Sequence, residues 1–439
     1  MNEWSSGFWR NFKVRYPESD EMYCRMMCVS ARLHKAVSEG WGGADIELAR
    51  ESLYRSQCNC GYWHGAFGGI YLPHLRNAVY RELIRADNLI DRAVEHSGDW
   101  LESQTADFNF DGQNEVRLTN DQLNLMFLPH KGGMLYELDI KNIAHNLSAT
   151  MTRRPEAYHR KLARFAGRLA AGEDNNEKQI ICKQEGLDRQ LQYDAYPRKL
   201  LLDLFYDYDT DFESVQKART GQHGDFVQGD YNAVIRKKTN RMQVLMSREG
   251  FAYGQPVRID KAITLSAGSS AIDIAYRLSG LPEGYKIHFA VEFNFAGMPG
   301  GAENRFFHHP FSRSAMPLVQ NTLRTYCPLA TLDKPLDLTN EHGLALYDDW
   351  LGLDVALNVN QPTDFYAFPV GTVNQSDGGF ELVHQSVAVQ PHWRFAADET
   401  GVWSVEMQLK IDTSAARERD LKAHALLKDA AKILVGDIE

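Results

Sequence analysis

Apolar side chains recur at steps of three and four residues through the first hundred positions, which is the period of an amphipathic helix. A first run follows Pro17 and ends at the glycines around Trp41. A second run starts near Asp45, and a third follows Pro73 as far as Ala93. The pattern predicts three antiparallel helices. The core-facing positions predicted for the first helix are Met22, Met26, Val29, Leu33 and Val37.

From about residue 105 the apolar positions alternate with polar ones, which is the period of a half-buried strand. Turn-forming glycines and prolines separate these segments, and few helical patterns lie between them. Such a series is typical of antiparallel sheets stacked as a sandwich. The clearest alternating segments are 134–140, 242–246, 272–276, 287–295, 353–357 and 403–411.

The change of period divides the chain into a helical region, residues 1–104, and a β region, residues 105–439. The β region ends in a charged helical pattern over 415–434. The predicted fold class is therefore α+β, in which an antiparallel three-helix region precedes a large antiparallel β-sandwich. At 439 residues the chain is long enough for two or three domains.

Composition argues against several functional classes. The formal net charge is −10, whereas a nucleic-acid-binding surface is basic. No apolar run approaches the ~18 residues of a membrane span, and the N-terminus lacks the apolar core of a signal peptide. The six cysteines are too sparse for a disulfide framework. We therefore expect a cytoplasmic protein with no nucleic-acid or membrane partner.

The most informative stretch, residues 55–74, lies between the second and third predicted helices. Its glycines let the backbone bend sharply or approach other groups closely. Aromatic faces together with imidazole and amide groups suit a sugar, which presents apolar C–H faces and a belt of hydroxyls. Core packing of the same aromatics at a glycine-rich helix junction fits the composition as well. The side chains concerned are Tyr62, Trp63, His64, Tyr71 and His74.

The run QCNCGYWHGAFGGIYLPHLR, residues 57–76, resembles the segment that joins the catalytic barrel to the helical region in glycoside hydrolase family 57. Members of that family are α-amylases and 4-α-glucanotransferases, which act on α-1,4-glucans. The phrases GGMLYELDIKN, RRPEAYH, GDFVQGDY and VNQSDGGFELVHQ are similar to the C-terminal β-domain of the same enzymes. The resemblance covers nearly the whole chain and implies a supersandwich of the galactose-mutarotase type.

The resemblance also implies roles for individual residues. Tyr62 and Trp63 would stack against glucose rings, His64 would bond a hydroxyl, and Asn59 would belong to the same substrate-binding set. One departure is Cys60, which stands where the glucanotransferase branch carries an acidic residue. A thiol cannot make the same charged hydrogen bonds as a carboxylate. The implied partner is an α-1,4-glucan or a maltooligosaccharide.

Glycoside hydrolysis needs two carboxylates that flank the scissile bond. In family 57 the nucleophile and the acid/base residue both belong to the barrel, N-terminal to every segment matched in this chain. Met1 precedes the matched region by only a few residues, so we expect no catalytic residue here. The barrel would then be encoded upstream or supplied in trans. The isolated chain is expected to be catalytically silent, and whether it is an enzyme stays open.

Two alternatives stay open at this point. One is a glycan-binding or scaffold protein that lost its barrel. The other is an autonomous sugar epimerase or lyase that uses His288 and Glu292 as acid and base on the sandwich face. No cofactor or metal site is expected, because the EF-hand-like segment 207–211 is followed by Phe212 and Ala218 where that loop needs Gly and Glu. The sequence leaves open whether Asp207, Asp209 and Asp211 bind Ca²⁺ in an irregular site.

Overall fold

A computed structural model of the protein describes residues 8–65, 67–94, 98–170, 180–310 and 326–436. The first part of the described chain is helical. Its helices are α1 (Trp9–Arg15), α2 (Pro17–Ser38), α3 (Ala44–Ser56) and α4 (Pro73–Ala93). The last three are the helices that the apolar periodicity predicts, and α1 is an addition to them.

The longest of these helices, α2, shows how the sequence forms this region. It begins at Pro17, whose fixed φ suits the first helical position. Val29 and Leu33 are buried on its predicted apolar face, along with Met22. Val37 was predicted to share this face but is 41% exposed, because Ala36 takes the buried position in the last turn.

Five antiparallel strands form the first sheet, in which each strand pairs with the next along the chain. The strands are β1 (Leu101–Ala106), β2 (Glu115–Asn120), β3 (Leu123–Leu128), β4 (Met134–Ile140) and β5 (His145–Asn146). β1 begins before residue 105, where the sequence analysis places the start of the β region. Every residue of β2, β3 and β4 is buried, because this sheet is covered on both faces.

The described strands from β6 onward belong to one larger sheet. They are β6 (Leu202–Phe205), β7 (Asn232–Lys238), β8 (Arg241–Ala252), β9 (Gln255–Ser266), β10 (Ala271–Ser279), β11 (Lys286–Ala296), β12 (Arg305–His308), β13 (Pro328–Thr331), β14 (Leu336–Asp348), β15 (Leu353–Ser376), β16 (Gly379–Ala396) and β17 (Val402–Asp412). Their order is β13-β12-β14-β15-β17-β10-β9-β8-β7, and β16, β11 and β6 branch from it at β15.

The 24-residue strand β15 folds this sheet over itself. Its residues 354–359 pair with β17, whereas its residues 364–376 pair with β16, which pairs in turn with β11. Side chains of the two layers meet inside, since the rings of Phe289 on β11 and Tyr276 on β10 have centroids 5.8 Å apart. The layers enclose one large apolar cluster. This arrangement confirms the predicted α+β class, with helices preceding an antiparallel β-sandwich.

Three further segments of the described chain are α-helical, namely α5 (His159–Ala170), α6 (Phe212–Gln216) and α7 (Ser414–Gly436). The last of these covers the charged segment for which the sequence predicts a helix. Among the helices that the structure describes, none combines the length and the apolar character needed to cross a membrane.

A buried cluster of charged side chains joins α2 and α4 to the first sheet. Arg25 of α2 donates hydrogen bonds to Asp87 of α4 and to Glu137 and Asp139 of β4. The other members are Arg32, Asp91, Arg117 and Lys141, so the cluster contains four basic and four acidic side chains. Because buried charges are tolerated only when they are paired, this cluster ties the helical region closely to the sheet.

Candidate functional site

The glycine-rich junction between α3 and α4 forms two short 3₁₀ turns, Asn59–Gly61 and Gly69–Tyr71. The backbone N–H of Ile70 donates to the carbonyl oxygen of Trp63 at 2.8 Å. Gly69 has a φ of +53°, and a Cβ at this position would lie 1.8 Å from that carbonyl oxygen. Only glycine fits such an approach, so the loop holds Trp63 and the residues next to it in a fixed position.

Trp63 belongs to a stack of aromatic rings that reaches the surface. Its ring lies on Phe12 of α1, with centroids 4.5 Å apart and an interplanar angle of 21°. Trp9 lies 6.4 Å from Trp63 at an angle of 30°. Phe12 is buried and Trp63 half-buried, whereas Trp9 is 37% exposed and Phe67, in the same junction, 82% exposed. The stack therefore has a buried base and an accessible edge.

The other residues predicted for this site lie in different environments. Asn59 is exposed, whereas Tyr62 is 7% exposed and His64 is 1% exposed. Burial raises the pKa of the Tyr62 hydroxyl and lowers the pKa of the His64 imidazole, so both groups are neutral at physiological pH. In this conformation Trp63 and Asn59 offer surface to a ligand, while Tyr62 and His64 pack inside the helical region.

A buried carboxylate lies next to the stack and joins it to the β region. Glu156 accepts hydrogen bonds from the hydroxyls of Tyr16 at 2.9 Å and Tyr71 at 2.6 Å, and from Arg15 at 2.6 Å. Burial and the Glu156 charge raise the pKa of Tyr16, so its hydroxyl remains a donor. The ring of His64 meets the edge of Tyr71, with centroids 4.9 Å apart. This network holds the junction against the β region.

Sequence reasoning missed four residues of this arrangement. Trp9, Phe12 and Tyr16 repeat at steps of three and four, so the aromatic stripe of a helix was available as a signal. Glu156 carries no local signal, because nothing in the neighbouring sequence distinguishes it from a solvated carboxylate. Its burial depends on tyrosines that approach from two helical segments.

The residues of the epimerase alternative are enclosed. His288 and Glu292 are both 0% exposed. Nε2 of His288 lies 2.9 Å from Nδ1 of His392, and Glu292 accepts a hydrogen bond from Arg198 at 2.9 Å. Burial lowers the pKa of His288 to about 4, and the positive charge of Arg394 adds to this effect. These side chains form an internal polar network and are not exposed to a sugar in solution.

The acidic segment 207–211 divides its carboxylates among separate partners. Asp207 lies 2.9 Å from Nε2 of His223. Asp211 caps α6 by accepting a hydrogen bond from the backbone N–H of Ser214 at 2.8 Å. The arrangement gives the irregular Ca²⁺ site no support.

Comparison with known proteins extends over both regions. Residues 107–407 match the family described as alpha-amylase/4-alpha-glucanotransferase, C-terminal, and residues 7–90 match the middle domain of the same family. Alpha-amylase 1 of Dictyoglomus thermophilum is 30% identical over 388 residues, which are 87% of this chain and 51% of that protein. A 4-alpha-glucanotransferase of Thermococcus kodakarensis is 28% identical over 384 residues, 87% of this chain and 50% of that protein.

A solved structure shares the architecture to a similar extent. The 4-alpha-glucanotransferase from Thermococcus litoralis matches with a TM-score of 0.65 and 26% identity, covering 92% of this chain and 51% of that one. The chain spans about half the length of the relatives it matches. Since the family matches cover the helices as well as the sheets, the chain belongs to the alpha-amylase/4-alpha-glucanotransferase family and contains its middle and C-terminal portions.

Proposed function

We propose that this chain forms the helical and C-terminal part of an enzyme of α-1,4-glucan metabolism and that the junction after α3 lines the glucan cleft. The observation that carries the proposal is the aromatic stack of Phe12, Trp63 and Trp9, whose edge is accessible. The C–H faces of a glucose ring pack well on such aromatic surfaces. The relatives named alpha-amylase 1 and 4-alpha-glucanotransferase point to the same class of substrate.

The rigidity of the stack supports this role. The close approach of Gly69 to Trp63 fixes the loop, and the hydroxyls of Tyr16 and Tyr71 anchor the neighbouring elements on Glu156. A platform that is already ordered loses little conformational entropy when a ligand binds. In this proposal Trp63 stacks on a sugar ring and the exposed Asn59 bonds a hydroxyl.

Tyr62 and His64 have supporting roles in the same proposal. Both are buried beside the junction, so they contact a glucan only if the loop rearranges. In the observed conformation the His64 imidazole lies against Tyr71, and its Nδ1 is 3.2 Å from the carbonyl oxygen of Gly68. Their effect on a bound sugar is therefore exerted through the position of Trp63.

The bond-breaking chemistry is assigned to a catalytic barrel that is encoded upstream or supplied in trans. Retaining glycosidases use two carboxylates about 5–5.5 Å apart. The relatives are about twice as long as the part that this chain matches, which leaves room for such a domain in them. In this proposal the chain binds and orients an α-1,4-glucan, and the barrel cleaves or transfers it.

A cytoplasmic location is also part of the proposal. All six cysteines are free thiols in the structure, which suits a reducing compartment. Burial raises the pKa of Cys24 to about 12 and that of Cys28 to about 11. Both remain protonated and unreactive at neutral pH.

Isothermal titration calorimetry of maltoheptaose with the 439-residue chain tests the proposed surface. Without the barrel we expect a dissociation constant on the order of millimolar. Trp63→Ala should weaken binding at least about fivefold, which corresponds to ~1 kcal/mol of aromatic contact. Trp350→Ala is the matched control, because Trp350 is 74% exposed in the turn between β14 and β15 and is not part of the aromatic stack.

The outcomes separate the competing functions. Equal losses in Trp63→Ala and Trp350→Ala would contradict a specific site at the junction. Unchanged affinity together with a large loss of stability in Trp63→Ala would identify Trp63 as a core residue. A second assay adds the barrel half of a relative and measures disproportionation of maltotriose. Disproportionation in this mixture would favour the enzyme over a glycan-binding scaffold. Glucan binding with no disproportionation in the mixture would favour the scaffold.

A further inference from the structure

The loop that joins β1 to β2 has an unusual concentration of polar ligand groups. Its sequence from Asp107 reads DFNFDGQNE, with acidic or amide side chains at alternate positions followed by Gly112. The carboxylate of Asp107 accepts hydrogen bonds from the backbone N–H groups of Asp111 at 3.1 Å and Gly112 at 3.0 Å. These bonds curl the loop into a compact ring.

Glu115, at the end of the loop, has one carboxylate oxygen engaged and one without a hydrogen-bond partner among the described residues. Its Oε2 accepts from the backbone N–H groups of Phe108 at 2.7 Å and Asn109 at 3.0 Å. The residue is 0% exposed, and Oε1 receives no hydrogen bond from the part of the chain that the structure describes. A buried carboxylate oxygen in this state is costly, and a ligand at this position would relieve the cost.

His130, in the turn between β3 and β4, completes the group. Its Nε2 lies 3.1 Å from Oδ2 of Asp111, and its Nδ1 lies 3.8 Å from Oε1 of Glu115. One potential ligand atom from each of the three residues lies within 4.8 Å of the others. A cavity of about 180 Å³, bordered by Asp111, His130 and residues of α2, opens beside them. This volume holds an ion together with several water molecules.

We propose that Asp111, Glu115 and His130 bind a divalent metal ion of the Mn²⁺ or Zn²⁺ kind. Two carboxylate oxygens and one imidazole nitrogen suit these ions, whereas Ca²⁺ prefers oxygen ligands alone. Ligand atoms around such an ion lie ~3.3 Å apart in tetrahedral geometry, so side-chain adjustments on the order of 1 Å close the site. The remaining coordination positions face the cavity and take water.

The carboxyl group of Glu115 is surrounded by other titratable groups. Burial raises the pKa of Glu115 to about 7, and the nearby carboxylates of Asp107 and Asp111 add to the effect. The other titratable group facing Glu115 is the imidazole of His130, which would bind the ion through one nitrogen.

The site lies where the helical region meets the first sheet. The thiols of Cys24 and Cys28 on α2 donate hydrogen bonds to the carbonyl oxygens of Asn109 at 3.2 Å and Phe108 at 3.3 Å. These two hydrogen bonds hold the loop against α2. A bound ion would fix the loop and so strengthen the contact between helices and sheet.

The assignment is tested by measuring Mn²⁺ binding to the 439-residue chain. Binding is detected as a loss of the electron paramagnetic resonance signal of free Mn²⁺. This ion binds thiols poorly, so the six cysteines do not compete. We expect one tight site, nitrogen coupling from an imidazole, and at least about tenfold weaker binding in Asp111→Asn, Glu115→Gln and His130→Ala. His223→Ala is the matched control, because His223 also lies beside an aspartate, at 2.9 Å from Asp207.

Three results would overturn the proposal: no Mn²⁺ or Zn²⁺ binding by the unmodified chain below millimolar concentration, binding that all three substitutions leave unchanged, or binding of Ca²⁺ alone. Asp111 is exposed, so Asp111→Asn decides the matter even if Glu115→Gln fails to fold. A rise in melting temperature with Mn²⁺ that is lost in Asp111→Asn and kept in His223→Ala would support the site independently.

Discussion

Replacement of Arg25 by methionine should destabilise the protein through the buried charge cluster between α2, α4 and β4. Arg25 is 4% exposed. Its guanidinium donates to Glu137 and Asp87 at 2.5 Å each and to Asp139 at 3.2 Å. Methionine fills most of the volume of the arginine stem, but it leaves the carboxylates of Asp87 and Asp139 and the carboxyl group of Glu137 without the cation that they share.

The loss in the free energy of unfolding depends on how well the remaining basic side chains stabilise the acidic groups that Arg25 contacts. Removal of one partner from a buried ion pair costs about 3–5 kcal/mol. Asp87 retains Arg32 and Arg117 as neighbours, so its share of the loss is small. We therefore expect a loss near the lower limit, about 3 kcal/mol. For cooperative unfolding of 439 residues this loss lowers the melting temperature by about 3 °C.

Equilibrium unfolding in urea at neutral pH, followed by far-ultraviolet circular dichroism, measures this loss. Arg55→Met is the matched control, since Arg55 forms an exposed pair with Glu51 at 2.5 Å within α3. That substitution should change the free energy of unfolding by less than ~0.5 kcal/mol. Equal losses in the two variants, or an unchanged unfolding midpoint in Arg25→Met, would refute the account of the cluster.

Two further predictions concern the same interface. Burial, together with the neighbouring Asp139, raises the pKa of Glu137 well above its ordinary value of 4.5, so the folded state keeps a proton that the unfolded state releases. The contribution of Glu137 to stability should therefore fall as the pH rises above that value. The difference in unfolding free energy between the unmodified chain and Glu137→Gln, measured by urea unfolding, should change between about pH 5 and about pH 8, and parallel profiles would contradict the prediction. The proposed boundary predicts that residues 105–439 fold alone, because the sandwich core is drawn from residues 116–411. An insoluble fragment, or one without a β-sheet spectrum, would disprove the boundary.

Much of the secondary structure was determined by the sequence alone. Helical and strand periods record which side chains share a face, so α2, α3 and α4 lie where apolar residues recur at steps of three and four. Alternation over residues 287–295 likewise lies within β11. The glycines of residues 55–74 marked the junction, where Gly69 adopts a positive φ. The resemblance of that junction to glycoside hydrolase family 57 was also recognisable from the sequence.

Only the tertiary structure decided which polar groups are buried and what they contact. Arg25 and Glu137 are separated by 112 residues, and each is typical of a solvated face in its own segment. The composition around Tyr62 and His64 fitted a core as well as a sugar site, the resemblance favoured the sugar site, and the packing of the helical region placed both side chains inside. The period of the apolar residues identifies which face of a helix or strand is buried. It does not identify which other element packs against that face. The burial of a charge depends on a partner that arrives from a distant part of the chain, and that information exists only in the folded molecule.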